Sequence, residues 1–238
     1  RPLAVITDLD NTILHASSYW GYLIRQGIDF FDDSIWDQWV PENLVTLVPG
    51  AFEFLKHCEM NEVEVFYVTN RNQGPKTFEY ALAQLQRLNL PYANASHLTV
   101  YQETSDKTPS RRAVDQTHEL ILLLGDNLND FKRDYYVSDV NKRYELMERD
   151  KSELGKKFII LPNATDGHWV RAIFGESEPA ATEEKATMNL TLEGRAGFDG
   201  GDDTGEFQIG GGGGDGSIEA SRGSADGGGE ESIEASRA

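Results

Sequence analysis

The stretch "VITDLDNTIL", residues 5–14, holds the pattern that decides the fold of this chain. It starts as an apolar run, which is typical of a buried strand, and it continues into two carboxylates, Asp8 and Asp10, one residue apart. In a sheet of parallel strands, the carboxyl ends of the strands meet at the edge where ligands bind. The stretch therefore predicts a central strand that delivers two carboxylates to a ligand-binding crevice.

Short apolar runs alternate with helical patterns through the first 175 residues. The candidate strands lie at residues 3–9, 62–69, 97–101, 119–125 and 157–162. One intervening segment has apolar residues at helical spacing, at Phe78, Ala81, Leu82, Leu85 and Leu88. Continuous apolar strands that alternate with helices indicate an α/β fold, a Rossmann-like parallel sheet with helices on both faces.

The composition changes after residue 175. Residues 176–238 contain fifteen acidic and four basic residues, a net charge of −11 out of −18 for the chain, and fifteen of the 23 glycines. Such a segment cannot bury enough apolar surface to offset the entropy lost on ordering. We therefore predict a domain at residues 1–175 and a disordered, acidic, glycine-rich tail at residues 176–238.

Charge and hydropathy exclude several classes of partner. A net charge of −18 without a cluster of Lys and Arg argues against a nucleic acid polymer. No run of about 18 apolar residues occurs, so we expect no transmembrane segment. The sequence begins with Arg1 and not Met, so we expect a processed form or a fragment, and loss of an export signal upstream is one of the alternatives.

The paired carboxylates point to phosphate ester chemistry with a metal. A carboxylate in a crevice can attack phosphorus, bind Mg²⁺ or give a proton to a leaving oxygen. Two carboxylates repel an anionic substrate unless a cation intervenes, so this chemistry requires a metal. The stretch "LLLGDNLNDF", residues 122–131, ends another predicted strand with Asp126, and Asp130 follows. We predict a Mg²⁺ site of Asp8, the main-chain carbonyl of Asp10, and Asp126, supported by Asp130 and Asn127.

Two further segments supply groups that bind a phosphoryl group. The stretch "VFYVTNR", residues 65–71, ends a third strand with Thr69 and Asn70, a hydroxyl and an amide that can donate to phosphoryl oxygens. The stretch "ETSDKTPSRR", residues 103–112, offers Lys107 near the start of a helix. A Lys there can pair with both the nucleophile and the phosphoryl group. Each motif alone is common, and it is their order at strand ends that predicts a phosphoryl-transfer site.

These motifs are recognisable as a set. The segments "DLDNTIL" and "VTNR", Lys107 and the segment "GDNLNDF" resemble the four motifs of the haloacid dehalogenase (HAD) superfamily of phosphohydrolases. More narrowly, residues 3–175 resemble the class C acid phosphatases, the bacterial family that includes lipoprotein e of the outer membrane. Similarity also runs through "DFFDDSIWDQWV", "LVPGAFEFL" and "FIILPNATDGHW". The chain departs from the class C signature at Asn11, where Glu is usual, and at Thr7, where a small apolar residue is usual.

The resemblance implies a Mg²⁺-dependent acid phosphatase that hydrolyses small phosphate monoesters. Asp8 would attack phosphorus and form a phospho-aspartyl intermediate. Asp10 would protonate the leaving alcohol and then activate water, with Lys107 as the third catalytic residue. The resemblance also implies an exported enzyme, in the periplasm or at the outer membrane, and a homodimer.

An aromatic segment bears on the substrate. The segment from about residue 15 to residue 48 resembles the small helical cap of class C enzymes. By this resemblance, Trp36 matches a position that stacks on the ring of a nucleotide. The alternative is that Trp36 and Trp39, three residues apart, simply anchor the cap. Asp166 stands where lipoprotein e-like members carry an aromatic partner for the ring. We therefore expect a broad phosphomonoesterase, with 5′-nucleotides among its candidate substrates.

Two alternative functions remain open at this point. A phosphotransferase of the same superfamily would pass the phosphoryl group to another alcohol instead of water. A catalytically silent binding protein of the cell surface would keep the fold without turnover. The filled catalytic positions favour the hydrolase over the silent protein.

Overall fold

A parallel sheet of five strands forms the centre of the part of the chain that the structure describes, residues 1–28, 31–163, 165 and 167–174 of a computed structural model. The strands in spatial order are β5 (Leu98–Tyr101), β4 (Val63–Asn70), β1 (Leu3–Thr7), β6 (Glu119–Gly125) and β7 (Phe158–Ile160). Every pair of neighbours is parallel. The predicted parallel sheet is confirmed, with β1 at its centre.

The helices lie between the strands along the chain. They are α1 (Ser17–Gln26), α2 (Asp33–Trp39), α3 (Ala51–Met60), α4 (Thr77–Arg87), α5 (Thr108–Thr117), α6 (Val140–Arg149) and α7 (His168–Phe174). Short 3-10 turns cover Val40–Glu42, Gly74–Lys76, Leu128–Asp130 and Arg133–Tyr135. A separate antiparallel pair joins β2 (Leu14–His15) to β3 (Thr46–Leu47).

Two apolar clusters cover the two faces of the sheet. Val5 of β1 packs in a cluster that includes Leu55 of α3 and Leu85 of α4. Its neighbours in the strand, Ala4 and Ile6, belong to the other cluster, which includes residues of α5 and α6. Because β1 is buried on both sides, its sequence is apolar without alternation. The prediction of helices on both faces is confirmed.

Helices α1 and α2 lie between β2 and β3, within the segment predicted as a cap. Tyr19 of α1 is fully buried, and four aromatic rings surround its ring with centroids 5.0–5.9 Å away. Those rings belong to Trp20, Phe31, Trp36 and Trp39. The dense aromatic run of the sequence therefore builds a packed cluster above the sheet edge.

Two predictions fall on residues that lie outside the described part of the chain: the disordered tail at residues 176–238, and Asp166 beside the substrate ring. Both stay predictions. Among the described residues, no helix combines the length and the apolar character that crossing a membrane requires.

Candidate active site

One cleft at the carboxyl edge of the sheet gathers the predicted site residues. Its volume is about 240 Å³. The nine predicted residues that line it are Asp8, Asp10, Trp36, Thr69, Asn70, Lys107, Asp126, Asn127 and Asp130. They come from the ends of β1, β4 and β6, from the start of α5 and from α2. Parallel pairing brings these segments together because it places all the strand ends at one edge.

A tight turn after β1 keeps both of its carboxylates in the cleft. The amide of Asp8 still donates to the neighbouring strand β6, to the carbonyl of Leu124 at 3.0 Å. The carbonyl of Leu9 then accepts from the amides of Ile13 at 3.0 Å and Leu14 at 2.8 Å, which folds the chain back on itself. Asn11 in this turn has a φ of 55°, a left-handed conformation that Asn adopts more readily than most residues. The departure from Glu at this position therefore suits the local backbone.

Lys107 is the buried cation at the floor of the cleft. It lies directly before α5, and its Nζ forms ion pairs with Oδ1 of Asp8 and, at 2.7 Å, with Oδ1 of Asp130. Burial by itself would lower the pKa of Lys107, but the carboxylates of Asp130 and Asp8 outweigh burial and raise that pKa above its ordinary value. Lys107 is therefore a fixed positive charge beside two carboxylates.

The carboxylate of Asp8 is buried, whereas most carboxylates of a protein are exposed at its surface. Burial raises the pKa of Asp8 to about 6, Lys107 opposes the shift, and the nearby charges of Asp130 and Asp10 reinforce it. A divalent cation in contact with this carboxylate would favour its ionised form. Asp8 thus has the position and the neighbours expected of a nucleophile that works beside a metal.

Asp10 has a different partner. Arg71, directly after β4, donates from Nε to Oδ2 of Asp10 and from Nη2 to Oδ1, both at 2.7 Å. The third guanidinium nitrogen, Nη1, donates to Oε1 of the buried Gln84 of α4 at 2.7 Å. The motif "VTNR" contained Arg71 without assigning it a function, and no sequence signal pointed to Gln84.

Amide and hydroxyl groups surround Asp126 at the end of β6. Its Oδ2 accepts from Nδ2 of Asn127 at 2.8 Å and from Nδ2 of Asn163, and its Oδ1 accepts from the hydroxyl of Thr12 at 3.4 Å. Asn163 lies in the loop after β7, far from the four motifs in sequence. Sequence reasoning missed it, because only the pairing of β6 with β7 brings the two loops together.

Asp130 supports the site with both of its carboxylate oxygens. Oδ1 pairs with Lys107, and Oδ2 accepts from the amide N–H of Asn127 at 2.9 Å. This arrangement fits the supporting position that the sequence predicted for Asp130, although its contact is with the main chain of Asn127.

The donor set fits a hard divalent cation. Oxygens of Asp8, Asp126 and Asp130, all buried, lie within 4.8 Å of one another. Lys107 pairs with Asp8 and Asp130, and Arg71 pairs with Asp10, so the cleft combines several carboxylates with two buried cationic side chains. Carboxylate oxygens are the ligands that Mg²⁺ takes in proteins.

The other phosphate-binding candidates, Thr69 and Asn70, and the ring-binding candidate, Trp36, line the same cleft. Thr69 is buried at the end of β4, and Nδ2 of Asn70 donates to the carbonyl of Thr104, which holds that amide in place. Trp36 lines the cleft and also stacks on Trp39, with ring centroids 5.1 Å apart. Its position is therefore compatible with both functions considered for it, an anchor for the cap and a platform for a substrate ring.

Comparisons with known proteins agree on one family. A family model described as "HAD superfamily, subfamily IIIB (Acid phosphatase)" matches residues 1–169. Among solved structures, two of the class C acid phosphatase from Bacillus anthracis are similar to this chain, one of them with tungstate bound. In each, sequence identity is 27%, the match covers 81% of this chain and 80% of the other, and the TM-score is 0.72.

Proposed function

The chain belongs to subfamily IIIB of the HAD superfamily, the acid phosphatases, and is a phosphomonoesterase; on this basis we propose that it is Mg²⁺-dependent and works through a phospho-aspartyl intermediate on Asp8. The observation that carries the proposal is the contact of Lys107 with both Asp8 and Asp130 at the floor of the cleft. A buried ammonium there can hold a nucleophilic carboxylate and bind the phosphoryl group that it attacks.

The first step is an in-line attack on phosphorus. Lys107 donates a hydrogen bond to Oδ1 of Asp8, so we assign the attack on phosphorus to the other carboxylate oxygen, Oδ2. As the new bond between that oxygen and phosphorus forms, the bond between phosphorus and the alcohol oxygen breaks, and Asp10 gives its proton to the departing oxygen. Thr69, Asn70 and Lys107 donate to the phosphoryl oxygens during the transfer.

The second step regenerates the enzyme. Asp10, now ionised, takes a proton from water as the water oxygen attacks phosphorus, and the bond between phosphorus and Asp8 breaks to release phosphate. Asp8, Asp126 and the main-chain carbonyl of Asp10 would hold Mg²⁺. When bound there, the metal supplies positive charge that offsets the repulsion between phosphoryl oxygens and the carboxylates.

The substrate class follows from the walls of the cleft. Trp20, Phe31 and Trp36 give an apolar, aromatic surface beside the phosphate-binding groups. Such a surface suits a phosphate monoester with a flat organic group, including 5′-nucleotides. Tungstate, bound by the Bacillus anthracis relative, is a tetrahedral oxyanion like phosphate, and this supports a phosphate ester as the substrate class. From the resemblance alone, we also propose that the enzyme is exported and forms a homodimer.

Hydrolysis of p-nitrophenyl phosphate tests the proposal. We expect turnover with Mg²⁺, loss of turnover with EDTA and recovery when Mg²⁺ is returned. Asp8→Asn should lose at least about 1,000-fold in kcat, because the nucleophile is gone. The matched control is Asp115→Asn, an exposed aspartate of α5, which should behave as the native enzyme.

Mass spectrometry of acid-quenched enzyme tests the intermediate directly. In Asp10→Asn, a phosphoryl group should accumulate on the peptide that contains Asp8, because water is no longer activated. In Asp8→Asn it should be absent. Turnover that persists in EDTA and in Asp8→Asn would overturn both the metal and the nucleophile.

A further inference from the structure

We propose that Arg71 and Gln84 are positioning residues that hold the carboxylate of Asp10 in its working orientation and tie it to the cap. The inference rests on the proposed function, in which Asp10 protonates the leaving alcohol. The contacts form one continuous series, the acid-positioning relay, which consists of Asp10, Arg71, Gln84 and the main-chain carbonyl of Val40.

The contact between Arg71 and Asp10 fixes an orientation as well as a position. Two parallel bonds of 2.7 Å join Nε and Nη2 of Arg71 to the two oxygens of Asp10. A fork of this kind sets the plane of the carboxylate, which a single bond would not do. The side chain of Arg71 is 1% exposed and that of Asp10 is 24% exposed, so Asp10 is the end of the relay that a substrate can reach.

Gln84 continues the relay through the interior to the cap. It is fully buried in α4, a place where apolar residues are the usual choice. Its Oε1 accepts from Nη1 of Arg71 at 2.7 Å, and its Nε2 donates to the carbonyl of Val40 at 3.1 Å. Val40 directly follows α2, which carries Trp36 in the wall of the cleft. One amide side chain therefore contacts both the guanidinium of Arg71 and the end of a cap helix.

Stability alone does not account for this arrangement. Removing a guanidinium from water carries a desolvation penalty, and apolar residues of similar volume often replace a buried ion pair without loss of stability. What the relay supplies is geometry. A general acid must lie within hydrogen-bond reach of the oxygen that it protonates, and a carboxylate free to rotate would often miss it.

The relay is compatible with both proton transfers. Each oxygen of Asp10 has a second lone pair, which points away from Arg71, and the proton can occupy it while both guanidinium hydrogen bonds are kept. The fork therefore holds the plane of the carboxyl group in the protonated form as well. After the proton passes to the alcohol oxygen, the same lone pair of the ionised carboxylate accepts the proton of the attacking water.

The leaving group distinguishes a positioning function from a structural one. The p-nitrophenolate ion leaves without a proton, whereas the alkoxide of glycerol 2-phosphate needs one. The experiment compares kcat/KM for the two esters in the full chain, saturated with Mg²⁺. The variants are Arg71→Met, Arg71→Lys, Gln84→Met and Asp10→Asn, and the control is Gln86→Met, an exposed residue of the same helix.

The expected result is a loss that depends on the substrate. Asp10→Asn should lower kcat/KM for the alkyl ester by about 100-fold or more, and far less for the aryl ester. Arg71→Met should change the ratio of the two kcat/KM values by about tenfold in the same direction. Arg71→Lys should fall between Arg71→Met and the native enzyme, because a lysine makes one contact where the guanidinium makes two. Gln84→Met should change the ratio by about threefold, and Gln86→Met should leave it unchanged.

Failure of the inference and failure of the proposed function look different. If Asp10→Asn is selective for the alkyl ester but the Arg71 and Gln84 variants lower both esters equally, the relay is overturned and the proposed function stands. If Asp10→Asn itself affects both esters equally, Asp10 is not the general acid, and the relay fails together with that step of the proposed mechanism. If Arg71→Met does not fold, Arg71→Lys and Gln84→Met decide: an unchanged ratio in both would overturn the relay.

Discussion

Three aspartates of the cleft, Asp8, Asp10 and Asp126, have different hydrogen-bond partners and different burial. Asp8 is buried beside an ammonium, and burial raises its pKa to about 6. Both carboxylate oxygens of Asp10 accept hydrogen bonds from the guanidinium of Arg71. The carboxylate of Asp126 accepts hydrogen bonds from neutral amides and a hydroxyl. Since neighbours determine what a carboxylate can do, identical residues can serve as nucleophile, acid and metal ligand in one site.

Asn163 should tune metal binding through Asp126. Its amide donates to Oδ2 of Asp126, so Asn163→Ala removes one of the amide donors to that oxygen and loosens the carboxylate. Partners of metal ligands typically contribute about 10–100-fold in metal affinity. We expect the Mg²⁺ concentration for half-maximal activity to rise about tenfold, with kcat at saturating Mg²⁺ changed by less than about threefold.

A Mg²⁺ titration of p-nitrophenyl phosphate turnover measures this effect. The control is Asn72→Ala, an exposed asparagine near the same sheet edge. An unchanged Mg²⁺ requirement in Asn163→Ala would mean that the amide contact does not orient a metal ligand.

At the scale of the element, the last residue of β6 and the turn that follows it pack closely against each other. Gly125 is the last residue of the strand, and the 3-10 turn Leu128–Asp130 brings the carboxylate of Asp130 back against it. A Cβ at position 125 would lie 2.5 Å from the Cβ of Asp130, well inside van der Waals contact. The close approach of this turn therefore requires a residue without a side chain.

Gly125→Ala should consequently damage the site through displacement of Asp130. The shift would disturb the ion pair between Asp130 and Lys107, so we expect kcat/KM to fall by about 100-fold. Gly21→Ala in α1 is the matched control, because an added Cβ there meets no atom within 4 Å. It should keep full activity, and a better helix former should raise the melting temperature slightly. Kinetics and thermal unfolding check both variants; native activity in Gly125→Ala would refute the packing argument.

At the scale of the whole molecule, one buried carboxylate outside the cleft contributes to the way the free energy of unfolding changes at acidic pH. Asp150, after α6, accepts from Arg149 at 2.8 and 3.0 Å, from Lys132 at 2.8 Å and from the hydroxyl of Tyr135 at 3.0 Å. The bonds from Arg149 first, and then those from Lys132 and Tyr135, hold the pKa of Asp150 well below its ordinary range. These contacts connect α6 to the turn Arg133–Tyr135.

The sign of the pH dependence follows from that lowered pKa. A group whose pKa is lower in the folded than in the unfolded state stabilises the fold above its unfolded value, about 3.9 for Asp, and this contribution is lost as the pH falls further. Asp150→Asn should lower the free energy of unfolding by about 1.5–3 kcal/mol at neutral pH, the range for hydrogen bonds to charged groups. The difference from the native protein should persist at pH 5 and shrink below about pH 4.

Urea unfolding at several pH values measures this difference. Glu148→Gln in α6 removes an exposed ion pair with Lys151, just after the helix, and should change stability by less than about 1 kcal/mol. A difference for Asp150→Asn that grows as the pH falls would contradict the assignment.

The sequence by itself determined the sheet and the sheet edge at which the candidate site residues meet. Apolar runs report which segments are buried on both faces, and parallel connections put the ends of these segments at one edge. Asp8, Thr69 and Asp126 were therefore predictable as neighbours, as was Lys107 once its motif was placed in order. Strand ends were shifted by one or two residues where a turn, such as the one after Thr7, takes over the backbone hydrogen bonds.

Only the tertiary structure decided which groups contact Asp10 and Asp126. Arg71 meets Asp10 across 61 residues, Gln84 meets Val40 across 44, and Asn163 meets Asp126 across 37. A hydropathy pattern reports the face on which a residue lies, whereas a hydrogen bond requires two atoms about 3 Å apart with the right orientation. That distance depends on the packing of every helix and strand between the two residues, which no local pattern contains.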